Sequence, residues 1–256
     1  MELAAGGWAI LVGGALVGGW VDALIGGGGL VLIPLILAVA PQLAPATALA
    51  TNKVAAVSGT ASAAFTLVRK VRPPGRELVG LAAIAAVCSG LGATVAAALN
   101  ENIMRPLIIV LMVAVGIFVA CKPSFGASES EGMRGGWRTI AALVAAAIVA
   151  FYDGIFGPGT GMFLIMAFTF ILSQNFLKSA AMVKVVNTAT NLGALVVFIV
   201  GGHVWWTLGI VLAVANVIGA QLGARTVLSG GTKLIRYALL TLVVVMSVYL
   251  AWQQWF

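Results

Sequence analysis

Two aspartates and two lysines stand inside apolar stretches of this chain, each pair at the same spacing from a run of glycines. Asp22 precedes Gly26 and Gly28, and Asp153 precedes Gly157 and Gly159, a D-x-x-x-G-x-G pattern written twice. Glycine permits a sharp chain reversal and lets backbone N–H groups approach a ligand closely. A helix that starts after such a break aims its unpaired N–H groups and the positive end of its dipole at that place. Two such ends, Gly26, Gly27, Gly28 and Gly29 in the first and Gly157, Gly159, Thr160 and Gly161 in the second, form a candidate anion site. Pro158 fits this reading, since proline near a helix start loses little.

The charged and amide side chains have several roles open to them. Asp22 and Asp153, as intramembrane acids, are functional candidates by default. They carry a coupling proton, cap the backbone of the tip, or pair with Lys53 and Lys184. The lysines lie about two turns into the next long helix of each half, where they supply charge to an anion or snorkel to an interface. Lys184, Asn187 and Asn191 follow i, i+3, i+7 and share a helix face. On the first-half helix Lys53 is flanked by Asn52 and Thr51. Amides and hydroxyls suit the acceptors of an oxyanion, or bond helix to helix.

These residues need a scaffold, and composition names its class. The chain has 256 residues, 62% hydrophobic and 8% charged, with mean hydropathy +1.13. A soluble domain carries about 25% charged residues. Apolar segments of roughly 20 residues recur throughout, which predicts an all-α, multi-pass integral membrane protein. Sustained alternation of polar and apolar residues is missing, which excludes a β-barrel. The net charge of +7 comes mostly from short loops, as the positive-inside rule requires, and does not imply nucleic acid. The first apolar run, residues 3–20, lacks a basic flank and is read as membrane segment rather than a cleaved signal. Cys88 and Cys121 are isolated and match no disulfide, metal or redox pattern, so no cofactor or metal is expected. His203, beside Trp205 and Trp206, reads as an interfacial residue, and Trp252 and Trp255 as belt anchors.

The chain is written twice. The offset that carries Asp22 to Asp153 is 153 − 22 = 131, and it also pairs Lys53 with Lys184, Leu91 and Gly92 with Leu222 and Gly223, and Arg105 with Arg236. Charges are scarce here, so matched charges at one offset indicate duplication. The repeats are residues 1–125 and 136–256, joined by a linker at 126–135. Each is expected to hold a helix, the glycine break, a short helix and three long helices. In the first half these fall near 4–21, 30–40, 46–69, 77–99 and 103–121. In the second they fall near 138–152, 161–173, 177–200, 205–227 and 232–252. A helix of about 12 residues reaches only ~18 Å, against a hydrocarbon core of ~30 Å. Each broken pair is therefore expected to form a re-entrant hairpin, its tip near the midplane. The basic loop from Arg69 to Arg76 sets the cytoplasmic side. The linker then also falls inside, and so do Lys178 and Lys233, while both termini lie outside. Arg105 is the one basic residue that fits poorly. Three spans is an odd number, so the halves are expected to be inverted repeats, the architecture of secondary transporters. Scattered glycines such as Gly90, Gly92, Gly219 and Gly223 read as close-packing positions between helices.

The segment G-G-x-x-D-A-L-I-G-G-G-G from Gly18, followed by A-T-N-K from Ala50, resembles the first half of the sulfite exporter TauE/SafE family. D-G-I-F-G-P-G-T-G from Asp153 and G-G-H-V-W-W from Gly201 resemble its second repeat. The resemblance covers nearly the whole chain. It implies a permease for sulfite, sulfonates or related organosulfur or carboxylate anions, in a bacterial inner membrane. The expected partners are a small anion, a lipid bilayer and, as one option, a co-transported proton. A cation- or proton-coupled carrier using Asp22 and Asp153, and an anion channel, stay open as alternatives. An intramembrane enzyme lacks its chemistry here: one loop histidine, two lone cysteines and no H-E-x-x-H motif.

Overall fold

The computed structural model describes residues 3–121 and 137–229. The linker at 126–135, Lys122, Arg134, the helix expected at 232–252 with Lys233 and Arg236, and Trp252 and Trp255 lie outside the described residues. Among those described, all regular structure is helical: α1 (Ala5–Ile25), α2 (Gly28–Val39), α3 (Pro45–Val71), α4 (Gly75–Ala98), α5 (Glu101–Cys121), α6 (Arg138–Ile155), α7 (Thr160–Leu172), α8 (Phe176–Val200) and α9 (Trp206–Leu228). Five of these, α1, α4, α6, α8 and α9, are long and apolar enough to cross a membrane. Moving the starts of α3 and α4 by 131 residues lands on the starts of α8 and α9.

The breaks fall later than the sequence pattern predicts. α1 continues to Ile25 and α6 to Ile155, so both aspartates sit in the last turn of a helix rather than after its end. The chain turns where φ becomes positive, at Gly26 (φ 76°), Gly157 (φ 98°) and Gly159 (φ 83°). α6 is 18 residues, about 27 Å, and not the short arm expected. α2 and α7, at 12 and 13 residues, are short as expected. The broken pairs fold back on themselves. Gly7 faces Val39, Gly14 faces Leu35 and Gly18 faces Val31, the order of an antiparallel hairpin. In the second pair Arg138 Nε donates to Ile171 O at the base, and Tyr152 Oη donates to Pro158 O near the tip.

Contacts fix the helix directions. Asn216 Nδ2 donates to Ala15 O and Trp20 Nε1 to Thr226 Oγ1, so α1 and α9 are parallel. Trp205 N donates to Thr51 Oγ1 and Gln221 Nε2 to Ser62 O, so α3 is parallel to α9. α8 delivers the chain to α9 at the end where Thr51 lies, while its own Lys184 reaches Asp22 at the far side. α8 therefore runs against α1, α3 and α9. Gly193 of α8 abuts Ala86 of α4, with Val197 beside Gly90; Gly92 abuts Phe151 of α6. α4, α6 and α8 form the opposing set.

Small residues let these helices approach. A Cβ on Gly219 or Gly223 would collide with the carbonyls of Leu16 or Trp20, and one on Gly92 with the carbonyl of Phe151. Large apolar side chains cover the outer faces, among them Val79, Ile140, Ile148 and Val214, all more than half exposed. Such a surface is tolerated where lipid replaces water. Arg105, the basic residue out of place by charge counting, is used by its donors: Nη2 bonds the carbonyls of Pro41 and Leu43 in the α2–α3 turn. Arg138 serves the C-terminal end of α7 in the same way.

Candidate functional site

The two glycine tips meet. A Cβ on Gly26 would overlap the Cα of Gly161, and one on Gly161 would overlap that of Gly26, so only glycine fits either position. Gly29 packs against the ring of Pro158. Gly26, Gly27, Gly28, Gly159, Thr160 and Gly161 are all buried; Gly29 and Gly157 are partly so.

Some backbone donors around the tips have a partner among the described residues and some do not. Gly26 N–H donates to Asp22 O, Leu30 N–H to Gly27 O, Thr160 N–H to Gly157 O and Phe163 N–H to Gly159 O. Gly28 N–H donates to the carboxylate of Asp22, at 3.2 Å. Among the described residues, no acceptor meets the N–H of Gly27, Gly29, Gly157, Gly159 or Gly161. Buried backbone donors are nearly always paired with protein, water or ligand. Gly27, Gly159 and Gly161 are the buried ones among these five donors, and donors at helix starts are of the kind that favours negative charge.

The acids and lysines are joined across the halves. Lys53 Nζ donates to Asp153 Oδ2 and to Asp153 O, each at 2.8 Å, with both side chains 3% exposed. Lys184 Nζ pairs with Asp22 Oδ2 at 3.2 Å and also bonds Asp22 O. Each ammonium thus sits at the carbonyl-rich C-terminal end of the broken helix, where the helix dipole favours a cation. The lysines neutralise the carboxylates rather than extend toward an open face. Asp22 both pairs and caps, since its Oδ1 receives the Gly28 N–H while Oδ2 faces Lys184.

The amides divide. Asn187 and Asn191 are buried, but their bonds run within α8: Asn191 Nδ2 to Asn187 O at 2.8 Å and Thr190 Oγ1 to Asn187 Oδ1 at 3.2 Å. Asn52 is 6% exposed and its side chain has no hydrogen bond among the described residues. His203 stands apart, its ring edge-on to Phe198 in the 201–205 loop. Cys88 is a free, partly buried thiol, and no cluster of metal ligands occurs among the described residues. A crevice of about 260 Å³ between Arg76, Leu81, Ala142 and Leu172 lies at the starts of α4 and α6, away from the tips.

Sequence reasoning missed Tyr152 and Asn216. The hydroxyl of Tyr152 holds the carbonyl of Pro158 at 2.8 Å, and its ring packs on Phe156 and Phe163. Asn216 abuts Gly59 of α3 and bonds Ala15 O of α1. Position 131 residues before Tyr152 is Val21, and 131 before Asn216 is Ala85, so the repeat gave no signal for either.

The comparisons with known proteins agree over nearly the whole chain. A family model described as sulfite exporter TauE/SafE matches residues 10–250. The "Probable membrane transporter protein YfcA" of Escherichia coli strain K12 is 36% identical over 239 residues, 91% of this chain and 85% of that protein. A "Probable membrane transporter protein" of Haemophilus influenzae is 33% identical over 249 residues, 97% of this chain and 96% of its own. The "Probable membrane transporter protein ORF9" of a Sinorhizobium species is 30% identical over 243 residues, covering 95% and 90%. No solved structure matches the chain.

Proposed function

From the premise that this chain belongs to the sulfite exporter TauE/SafE family of membrane transporters, we propose that it carries small sulfur oxyanions, sulfite or an organosulfonate, across the bacterial inner membrane. It does so as a secondary transporter, by alternating access between two inverted halves. The reading takes its main support from the five N–H groups on the two touching tips that meet no acceptor among the described residues. Neutral donors on helix starts select charge and tetrahedral or pyramidal oxygen arrays, and they need no protonation change to do so. Support for inversion comes from the helix directions, since α1 opposes α6, α3 opposes α8 and α4 opposes α9.

Each lysine has a defined part in this account. By pairing with Asp22 and Asp153 it cancels a carboxylate that would repel the anion at close range. The same pairing argues against a cation carrier, because neither carboxylate is left uncommitted. Coupling to a proton runs through one of these two acids, whose protonation would release its lysine. Asn52, whose side chain has no hydrogen bond among the described residues, is the amide best suited by its chemistry to serve an oxyanion.

The test is thermal stabilisation of the purified full-length protein in detergent. Sulfite, sulfate, thiosulfate, taurine, sulfoacetate, acetate and chloride are compared as sodium salts at equal ionic strength. Selective stabilisation by one sulfur anion supports the reading, since a ligand at 100 times its Kd adds about 2.7 kcal/mol. Equal response to every anion counts against it, and stabilisation by cations alone favours the cation carrier. Conductance without saturation in planar bilayers identifies a channel.

A further inference from the structure

The tips are alike in sequence pattern but not in construction. The second is braced by side chains. Tyr152 Oη donates to Pro158 O at 2.8 Å, and Thr160 Oγ1 donates to Gly157 O at 2.6 Å. The Tyr152 ring packs edge-on against Phe156 and Phe163, and Phe163 against Phe118, with centroids 5.1–6.0 Å apart. Pro158 fixes one backbone dihedral within the turn itself. The positions 131 residues earlier are Val21 for Tyr152, Gly29 for Thr160, Gly27 for Pro158 and Leu32 for Phe163. None carries a hydroxyl or a ring. In the first tip the side-chain bond is that from Gly28 N to Asp22 Oδ1, at 3.2 Å. Four consecutive glycines there maximise backbone freedom.

The two ion pairs differ in the same sense. Asp153 and Lys53 are sealed, both side chains 3% exposed and 2.8 Å apart. Asp22 is 15% exposed and 3.2 Å from Lys184. Solvent thus reaches the Asp22 side chain but not Asp153, and the second tip carries side-chain braces that the first lacks.

We infer that the anion site has a fixed half and a moving half: Tyr152 is a positioning residue that holds the second tip's N–H donors preformed, and the Gly26–Gly29 tip closes on the anion they hold. This rests on the anion-site reading above. The donors of Gly157, Gly159 and Gly161 set the initial geometry, and the glycines of the first tip adapt to the anion's remaining oxygens. Tyr152 does not touch the anion; it acts through the carbonyl of Pro158.

The experiment is amide hydrogen exchange by mass spectrometry on the full-length protein in lipid nanodiscs. It compares peptides over 22–32 and 152–163, first without any oxyanion and then with sulfite. The first tip is expected to exchange at least about tenfold faster than the second, the ratio that one hydrogen bond near 1.4 kcal/mol produces. Tyr152→Phe removes the hydroxyl and keeps the ring. It is expected to raise exchange in the second tip about tenfold, leave the first tip unchanged and raise the KM for sulfite more than it lowers kcat. Equal exchange at the two tips without oxyanion overturns the inference. So does a Tyr152→Phe variant whose second tip exchanges at the wild-type rate. Because the asymmetry is read without oxyanion, it is decided independently of sulfite. A lack of protection by sulfite at either tip would instead overturn the anion reading of the site.

Discussion

Replacing Lys53 by methionine removes the ammonium and keeps most of the volume of the stem. Its partner Asp153 is 2% exposed as a residue, so the carboxylate is left buried and unpaired. Breaking one side of a buried pair costs about 3–5 kcal/mol, most of it the desolvation of the remaining charge. The Asp153 carbonyl also loses a 2.8 Å bond, the one it receives among the described residues. At about 2–4 °C per kcal/mol for a chain of this size, melting in detergent should fall by roughly 6–20 °C. The double variant Lys53→Met with Asp153→Asn removes both charges together. Only polar groups then stay underpaired, at about 1–3 kcal/mol, so the double variant should melt above the single. The assay is a thermal melt of single and double variants in one detergent, read as a double-mutant cycle. A single variant that melts with the wild type would refute the reasoning, because the pair would then be hydrated rather than buried. A double variant as unstable as the single would show that the lysine stem, not its charge, carries the effect.

Gly26→Ala and Gly161→Ala each force a Cβ into the opposite tip's backbone, and Gly26 also has φ 76°. Both should abolish sulfite binding measured by equilibrium dialysis, whereas Gly13→Ala, with no atom within 4 Å of the new Cβ, should bind normally. Lys184→Gln uncovers the charge of Asp22 beside the first tip and is expected to weaken sulfite about tenfold or more. Adding Asp22→Asn should recover most of that loss, and an unchanged affinity in the single variant would remove the lysine from the account. Arg105→Met frees the carbonyls of Pro41 and Leu43. It should lower stability in a detergent melt by about 1–3 kcal/mol without altering sulfite affinity.

The elements were legible because apolar length and glycine punctuation act locally. The starts of α3, α4, α8 and α9 fall within two residues of their expected positions. The helix ends at the breaks lie about a turn beyond their expected positions, because an acid inside an apolar helix carries no visible partner in sequence. The carboxylates of Asp22 and Asp153 are in fact satisfied by a lysine of the other half, which lets the helix run on to the first glycine with positive φ. That lysines and acids correspond was legible from the repeat. That Lys53 reaches Asp153 and Lys184 reaches Asp22, across the halves, required the tertiary arrangement. Arg105 looked misplaced because charge counting ignores donors; its guanidinium serves carbonyls at a turn. The tyrosine brace was hidden for the opposite reason, since a repeat-based argument sees only what both halves share.

The central claim is that backbone donors on the two tips hold the anion. Selenite is an analogue of sulfite whose selenium can be located by anomalous diffraction. Crystals of the full-length protein grown with selenite should show a selenium peak between Gly26–Gly29 and Gly157–Gly161, its oxygens about 3 Å from the N–H groups of the tips. A peak elsewhere, or no peak at the tips in protein that binds selenite in the same preparation, would contradict the account.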